Sequence, residues 1–531
     1  MKNIRIEMKR VAGEKLVVDV ASPDEHLVTN AAPFHDRARA QVEDPVMRRA
    51  VAKAQDVIGA NRARILEELG DVDLWRDRAA SIRDYVLENL DALLSQLADK
   101  VEENGGHVFF AKTKEEATEY ILGVCREKNA RKVVKSKSMV TEEIGMNHAL
   151  EAAGIEVLET DLGEYILQVA GDKPSHVVVP AIHRDRTQIR AALAEKLGYD
   201  GPDTPEAMTA FVRERLRPDF MDAEVGVTGC NFAVPETGSV CLVTNEGNAR
   251  LVTTLPKTHI AVMGMERIAP TFEEVDVLIT MLARSAVGAR LTGYNTWLTG
   301  PRAADEADGP EEFHLVILDN GRSEILGSAF REILRCIRCG ACMNTCPCYR
   351  EIGGHGYGSI YPGPLGAVIT PLLGGYEKFG DLPYVCTLCK ACETVCPVEI
   401  PLADLIMKHR RSEVEQGLRP RGERLATELF GWVNGRPGLW DLSMKTAARA
   451  GGLLKTGEVP FAPGELGKWY ESRNLPVSDG EAFRSWFEKH RGKTGGAGSD
   501  PTSGTASDKA PDAKPDPKQH PDVPFHEDQH N

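Results

Sequence analysis

The chain has 531 residues, 42% of them apolar and 27% charged, and its formal net charge is −15. At roughly 100–200 residues per domain, that length suggests about two to four domains. The acidic balance excludes a basic nucleic-acid-binding face and does not suit docking on anionic lipid; it serves solubility.

The N-terminal MKNIRIEMKR has neither an apolar core nor a small-residue cleavage site, so no signal peptide is expected. Residues 1–45 are weakly patterned and read as an extension. From Met47 to Glu103, apolar residues recur at spacings of three and four, which predicts helices over RRAVAKAQDVIGANRARILEELG and RAASIRDYVLENLDALLSQLADKVEENGG. Strands then alternate with helices: HVFFAK (107–112), KEEATEYILGVCREKN, RKVVKSKS (131–138), MVTEEIGMNHALEAAG, IEVLET and HVVVPAI (176–182). This alternation predicts βαβ units and a parallel sheet. Over 225–262, short β-branched runs broken by ETG and NEGN predict hairpins, with strands near 239–244, 250–254 and 259–263. A helix over EEVDVLITMLARSAV and a strand at 314–319 complete an α/β domain spanning 46–320.

Residues 325–405 are cysteine-rich, and a helical segment with two tryptophan-bearing stretches, LFGWVNGRPGLWDL and FRSWFEKH, covers 406–490. Residues 492–531 are Gly, Ser, Pro, Asp and Lys with almost no large apolar side chain, which predicts disorder. The most apolar stretch, PGPLGAVITPLLGG, is shorter than the ~20 residues a membrane span needs and holds three prolines. No transmembrane segment is expected, and the chain is placed in the cytoplasm, where thiols stay reduced and bind metal more readily than they pair.

The cysteine-rich region carries one spacing twice: Cys336, Cys339, Cys342, Cys346-Pro, then Cys386, Cys389, Cys392, Cys396-Pro. It is the bacterial ferredoxin spacing for [4Fe–4S] clusters. A cysteine at every third position lets one loop wrap three corners of a cubane, while the fourth corner faces away. In two-motif ferredoxins the fourth cysteine of each run serves the other cluster. Carried over, cluster 1 takes Cys336, Cys339, Cys342 and Cys396, and cluster 2 takes Cys386, Cys389, Cys392 and Cys346. Zinc, the main competitor, usually takes separated pairs of ligands. Cys348 is surplus and reads as a small packed residue, as do the isolated Cys125, Cys230 and Cys241. Cys346 and Cys386 stand forty positions apart, and the stretch between them holds a Pro-started helix candidate at Leu365–Leu373, as in α-helical ferredoxin modules.

No G-x-G-x-x-G follows a strand, and no phosphate-binding G-x-x-x-x-G-K-[ST] occurs; GGHGYG at 353–358 has the wrong spacing. Thus no flavin, NAD or ATP motif is found. The chain moves single electrons but shows no motif for taking two from an organic substrate, which implies partner subunits.

GCNFAVPETGSVCLVTNEGNARL (229–251), LPKTHIAVMGMERI (255–268) and TGYNTWLTGPR (292–302) resemble a LUD domain, named for lactate utilisation. With the paired cluster motifs and helical tail behind it, the chain over about 50–490 resembles the LutB/YkgF family of iron–sulfur proteins. The resemblance implies a sugar-isomerase/CoA-transferase-like α/β fold, followed by a mostly helical two-cluster ferredoxin-like domain. It also implies an electron-transfer subunit in oxidation of L-lactate to pyruvate, acting with a cysteine-rich cluster subunit and a small LUD-domain subunit. The chain would be an oxidoreductase component rather than a complete enzyme. The alternative is a LUD-domain enzyme acting on a CoA ester, folate or sugar phosphate, its clusters structural or regulatory. In the α/β domain, Lys135, Ser136, Lys137 and Ser138 form either an anion site or an exposed strand end, and the second is the plainer reading. Glu236 is either a nucleophile or a turn-former, again the plainer reading. Asn245, Glu246 and Asn248 line a candidate pocket, with Asn245-Glu246-Gly247 expected to make a hairpin turn.

Overall fold

A computed structural model describes residues 27–453 together with Phe487 and Lys489. The N-terminal decapeptide, most of FRSWFEKH and the 492–531 tail lie outside the described residues. Of the described residues, those up to Arg419 form one compact unit and those from Pro420 belong to a second.

Within its described residues the first unit contains nine strands: β1 His107–Ala111, β2 Lys132–Lys135, β3 Glu156–Glu159, β4 Val225–Thr228, β5 Phe232–Val234, β6 Ser239–Thr244, β7 Thr258–Gly264, β8 Tyr294–Leu298 and β9 Glu312–Leu318. Six of them make a parallel sheet in the order β1-β9-β7-β4-β2-β3, and β5-β6-β8 make a small antiparallel sheet. Side chains alternate across the large sheet, so each face has its own core. Ile260, Val262, Val316 and Leu318 join the Lys114–Glu127 helix on one face. Ala261, Met263, Leu315 and Ile317 meet the Leu90–Glu103 helix and the small sheet on the other. Burial on both faces explains why these strands read as continuous apolar runs.

The N-terminal helices run Pro45–Glu67, Val72–Glu88 and Leu90–Glu103, the predicted pair with the second broken at Asn89. Residues before them are also packed: Leu27 is fully buried, and Thr29 donates to the Gly358 carbonyl. The Pro45–Glu67, Val72–Glu88 and Phe272–Val287 helices share one core with the cysteine-rich region through Met47, Ile82, Leu278, Ile337 and Val368. At the centre of that region lies the predicted Pro-started helix, Gly363–Gly374, buried at every position. A Cβ at Gly366 would stand 1.6 Å from the Tyr361 carbonyl oxygen, so only glycine permits this approach.

Four expectations are corrected. HVVVPAI forms no strand. Ser175 N bonds the Pro180 carbonyl, and His176 Nδ1 accepts from Val178 N and Val179 N at 3.0 and 3.1 Å, closing the run into a loop. Its valines are apolar because they pack against the cysteine-rich region, not a sheet. Residues 250–254 belong to a helix, Asn248–Thr254, led by Gly247, so the Asn245-Glu246-Gly247 turn joins strand to helix. The 258–264 strand pairs in parallel with β4 and β9, not in a hairpin. MVTEEIGMNHALEAAG is two short helices, split at Gly145 with its positive φ of 65°.

The second unit, within its described residues, holds helices Arg421–Asn434 and Pro437–Leu453, as expected for a helical segment. Phe430 and Trp440 meet edge to face at 6.4 Å, and Leu425, Leu429 and Trp432 are exposed.

Candidate metal centre

The two cysteine motifs take one backbone course. Arg338 (φ 60°) and Gly340 (φ 76°) are left-handed in the first, and Leu388 (φ 58°) and Lys390 (φ 61°) occupy the matching places in the second. Three of the four carry side chains in a conformation that side chains disfavour. Alternating handedness curls each loop into a nest whose N–H groups turn inward. Arg338 N donates to Cys336 Sγ at 3.4 Å, Leu388 N to Cys386 Sγ at 3.3 Å, and Ile400 N to Cys396 Sγ at 3.3 Å. Short helices, Ala341–Asn344 and Ala391–Thr394, follow the loops and pack together.

The sulfurs form two gatherings. Cys396 lies beside Cys336 and Cys339, distant in sequence, and Cys342 lies within electrostatic reach of all three. Cys346 hydrogen-bonds with Cys348, and Tyr357 lies near both and near Cys386. Cys386 and Cys389 neighbour Cys392. Cys348 is half-buried within this second gathering. Burial, then the neighbouring thiols, drive the Cys342 thiol well above its ordinary pKa, so four thiolates here need a cation among them. Tetrahedral zinc would hold its sulfurs roughly 4 Å apart. Among the described residues, the ligand trio found within 4.8 Å of one another is Asp172, His183 and His355, and no cysteine trio joins it. That trio is already engaged: Arg184 binds Asp172 Oδ2 at 2.6 and 2.9 Å, and His355 Nε2 contacts the Lys173 carbonyl at 2.8 Å. Sulfurs gathered but held apart fit the corners of a cubane.

Cations surround the first gathering. Arg83, fully buried, donates to the carbonyls of Glu266, Ile268 and Leu334 at 2.5, 2.6 and 2.9 Å. Arg267 donates to the Cys336 carbonyl at 2.9 Å, Arg76 to the Cys396 carbonyl at 3.0 Å, and Arg62 to the Val395 carbonyl at 3.2 Å. A buried chain continues outward: Arg322 forks onto Glu143 at 2.9 and 2.8 Å, Tyr361 donates to the same carboxylate, and Glu266 bridges Arg322 and Arg338. Four guanidiniums, of Arg83, Arg267, Arg322 and Arg338, thus face two carboxylates, of Glu143 and Glu266. Arg338 Nη1 and Arg62 Nε are buried with no acceptor among the described residues. Excess buried positive charge and orphaned donors fit a site that holds an anion, and a cubane with four thiolates is one. The second gathering has a lighter shell, Arg410 donating to the Cys386 carbonyl at 2.5 Å, and Cys389 is exposed.

Beside the first gathering, at the carboxyl end of β2 and β6, lies a cavity of about 420 Å³. Ser136, Lys137, Ser138, Asn245 and Glu246 from the sequence reading all line it. Other candidates fall elsewhere. Lys135 is fully buried, bound to Glu142 and Glu159 at 2.5 and 2.6 Å, so it is neither solvated nor free for an anion. Asn248 donates to Thr160 Oγ1. Glu236 is exposed in the turn between β5 and β6, outside the cavity lining. Sequence spacing offered no signal for Arg62, Arg76, Arg83 or Arg267. Arg338, a charge within the first Cys-x-x-Cys, was the visible one. Cys125 and Cys241 are buried, with the Cys125 thiol pushed up to about 12 by burial. Cys230 lines the cavity.

The LUD domain family matches residues 94–318, the 4Fe-4S dicluster domain residues 332–400, and the lactate utilisation protein B C-terminal domain residues 408–492. The chain is thus a LUD-domain protein with an appended iron–sulfur domain. The uncharacterized electron transport protein YkgF of Escherichia coli K12 is 68% identical over 464 residues, covering 87% of this chain and 98% of that protein. Lactate utilization protein B of Bacillus thuringiensis is 56% identical over 460 residues, covering 86% and 97%. The chain belongs to this lactate utilisation protein B/YkgF family. A solved DUF162 family protein from Deinococcus radiodurans is a slighter likeness, 17% identical over 43% of this chain and 98% of that one, with a TM-score of 0.25.

Proposed function

We propose that this protein is the iron–sulfur electron-transfer component of a multi-subunit system oxidising L-lactate to pyruvate. Cys336, Cys339, Cys342 and Cys396 would hold one [4Fe–4S] cluster, and Cys386, Cys389, Cys392 and Cys346 the other. Such clusters supply reversible one-electron storage. The observation that carries the reading is the pair of like-folded cysteine nests, with the first inside an arginine shell. The names of the relatives support the pathway. Cys389 is exposed, which supports electron exchange with a partner at the second site, whereas Cys339 and Cys396 of the first site are buried in the core shared with the α/β domain's helices. A cysteine-rich cluster subunit and a small LUD-domain subunit are the proposed partners. No helix among the described residues is long and apolar enough to cross a membrane, and we place the protein in the cytoplasm. Glu236, on which a transferase reading would rest, is exposed and away from the cavity. Replacing Cys339 or Cys389 with Ala should abolish growth on L-lactate and spare growth on glucose. Normal growth on lactate would refute the proposal.

A further inference from the structure

The cavity beside the first cysteine nest belongs to both halves of the chemistry. Arg338 donates its backbone N–H to Cys336 Sγ and also lines the cavity, so a residue of the cavity wall directly precedes the proposed ligand Cys339. Val178, also in the wall, packs on the same nest: a Cβ at Gly340 would stand 3.3 Å from it. The Phe272–Val287 helix supplies a third link, lining the cavity with Ala283, Ala286 and Val287 while its Ala286 carbonyl accepts from Asn344 beside Cys342.

The lining points to a type of occupant. Its charged residues are Lys137, Arg267 and Arg338 against Asp161, Glu246 and Glu266, which balance. Lys137 is held by Glu164 at 2.9 Å, Arg267 by the Cys336 carbonyl, and Arg338 pairs with Glu266 at 3.7 Å, leaving only its Nη1 without an acceptor among the described residues, so each lining cation already has a partner. The lining is aliphatic where the Phe272–Val287 helix and Val177–Val179 contribute and polar where Ser136, Asn231 and Thr244 do. The volume is that of a drug-sized molecule and larger than a three-carbon acid needs. Oxidising an alcohol to a ketone releases two electrons, whereas an iron–sulfur cluster takes one at a time, so a carrier able to hold both is required between them. We propose that this cavity binds a neutral, planar, electron-accepting ring, a flavin or a quinone, against the Cys336–Cys339 loop. The proposal rests on the electron-transfer reading above and adds the place where two-electron and one-electron chemistry meet.

The test uses the full-length protein, purified anaerobically with its iron. Riboflavin, uncharged and fluorescent, is titrated into it, with menadione as a competing quinone. Saturable one-site quenching of riboflavin fluorescence identifies a flavin site. Saturable protein-fluorescence quenching by menadione without riboflavin binding identifies a quinone site. In either case Val243→Trp and Val287→Trp, filling the cavity from two separate segments of its lining, should weaken binding at least tenfold while iron content and visible absorbance persist. Photolabelling of the wild-type protein with an azido derivative of the bound ring should mark segments 177–180, 243–246 or 283–287. Absence of saturable binding by both rings, unchanged affinity in iron-loaded variants, or labelling elsewhere overturns the proposal. None of these results depends on growth on lactate, so failure here is distinct from failure of the electron-transfer reading.

Discussion

Replacing Arg267 with Met removes a buried cation from beside the first proposed cluster while keeping much of the side chain's length. Arg267 is 4% exposed, donates to the Cys336 carbonyl at 2.9 Å, and lies over the Phe232 ring at 5.3 Å. A donor bonded to the carbonyl of a ligand cysteine stands roughly 8 Å from the cluster it serves; at an effective dielectric constant of about 20, one charge at that distance contributes about 2 kcal/mol, or about 90 mV for one electron. Reduction makes a cluster more negative, so loss of the cation makes reduction harder and lowers the potential. Glu266, left less compensated, pushes in the same direction. The other cluster, where Arg410 donates to the Cys386 carbonyl, should move much less. The assay is a redox titration followed by low-temperature paramagnetic resonance on iron-matched wild type and variant. Unchanged potentials at both clusters, or equal shifts at both, would refute the electrostatic reasoning.

His176, His259 and His409 are buried, and burial foremost lowers each to about 3 from an ordinary 6.5. Between those values the unfolded chain binds more protons than the folded one, so stability falls as pH drops below 6.5; at pH 5.5 the loss is about 1.4 kcal/mol per histidine. Denaturant midpoints at pH 7.5 and 5.5 check this, and equal midpoints would contradict it. Arg322→Met strands Glu143 and Glu266, all three buried, and should cost about 3–5 kcal/mol in urea unfolding. Gly366→Ala drives a Cβ onto the Tyr361 carbonyl and should cost about 3 kcal/mol or more, read as loss of iron-loaded soluble protein. Glu236→Ala, at an exposed turn, should leave stability within about 0.5 kcal/mol and iron content unchanged.

The parts of this protein written in local spacing were legible. The cysteine repeat announced iron–sulfur chemistry, and period-two and period-3.6 patterns placed most strands and helices. What could not be read was set by long-range contact. HVVVPAI has a strand's composition, but Pro180 and the His176 ring turn it into a loop whose valines face the cysteine nests. Lys135 looked like a charged strand end; two carboxylates, one from β3 and one from the helix after β2, bury it. The arginine shell comes from positions some 70 to 330 residues away from the loops it holds, and no spacing in a single sequence encodes that. The cavity was half visible: its polar rim followed from the KSKS and TNEGN loops, whereas Arg338 and the Phe272–Val287 helix enter it only through the fold.

Metal analysis of the anaerobically purified full-length chain, paired with paramagnetic resonance after reduction, tests the central claim most directly. Two cubanes predict about eight irons and eight sulfides per polypeptide, and two mutually broadened signals. Four irons or fewer, stoichiometric zinc, or a protein silent after reduction would contradict it.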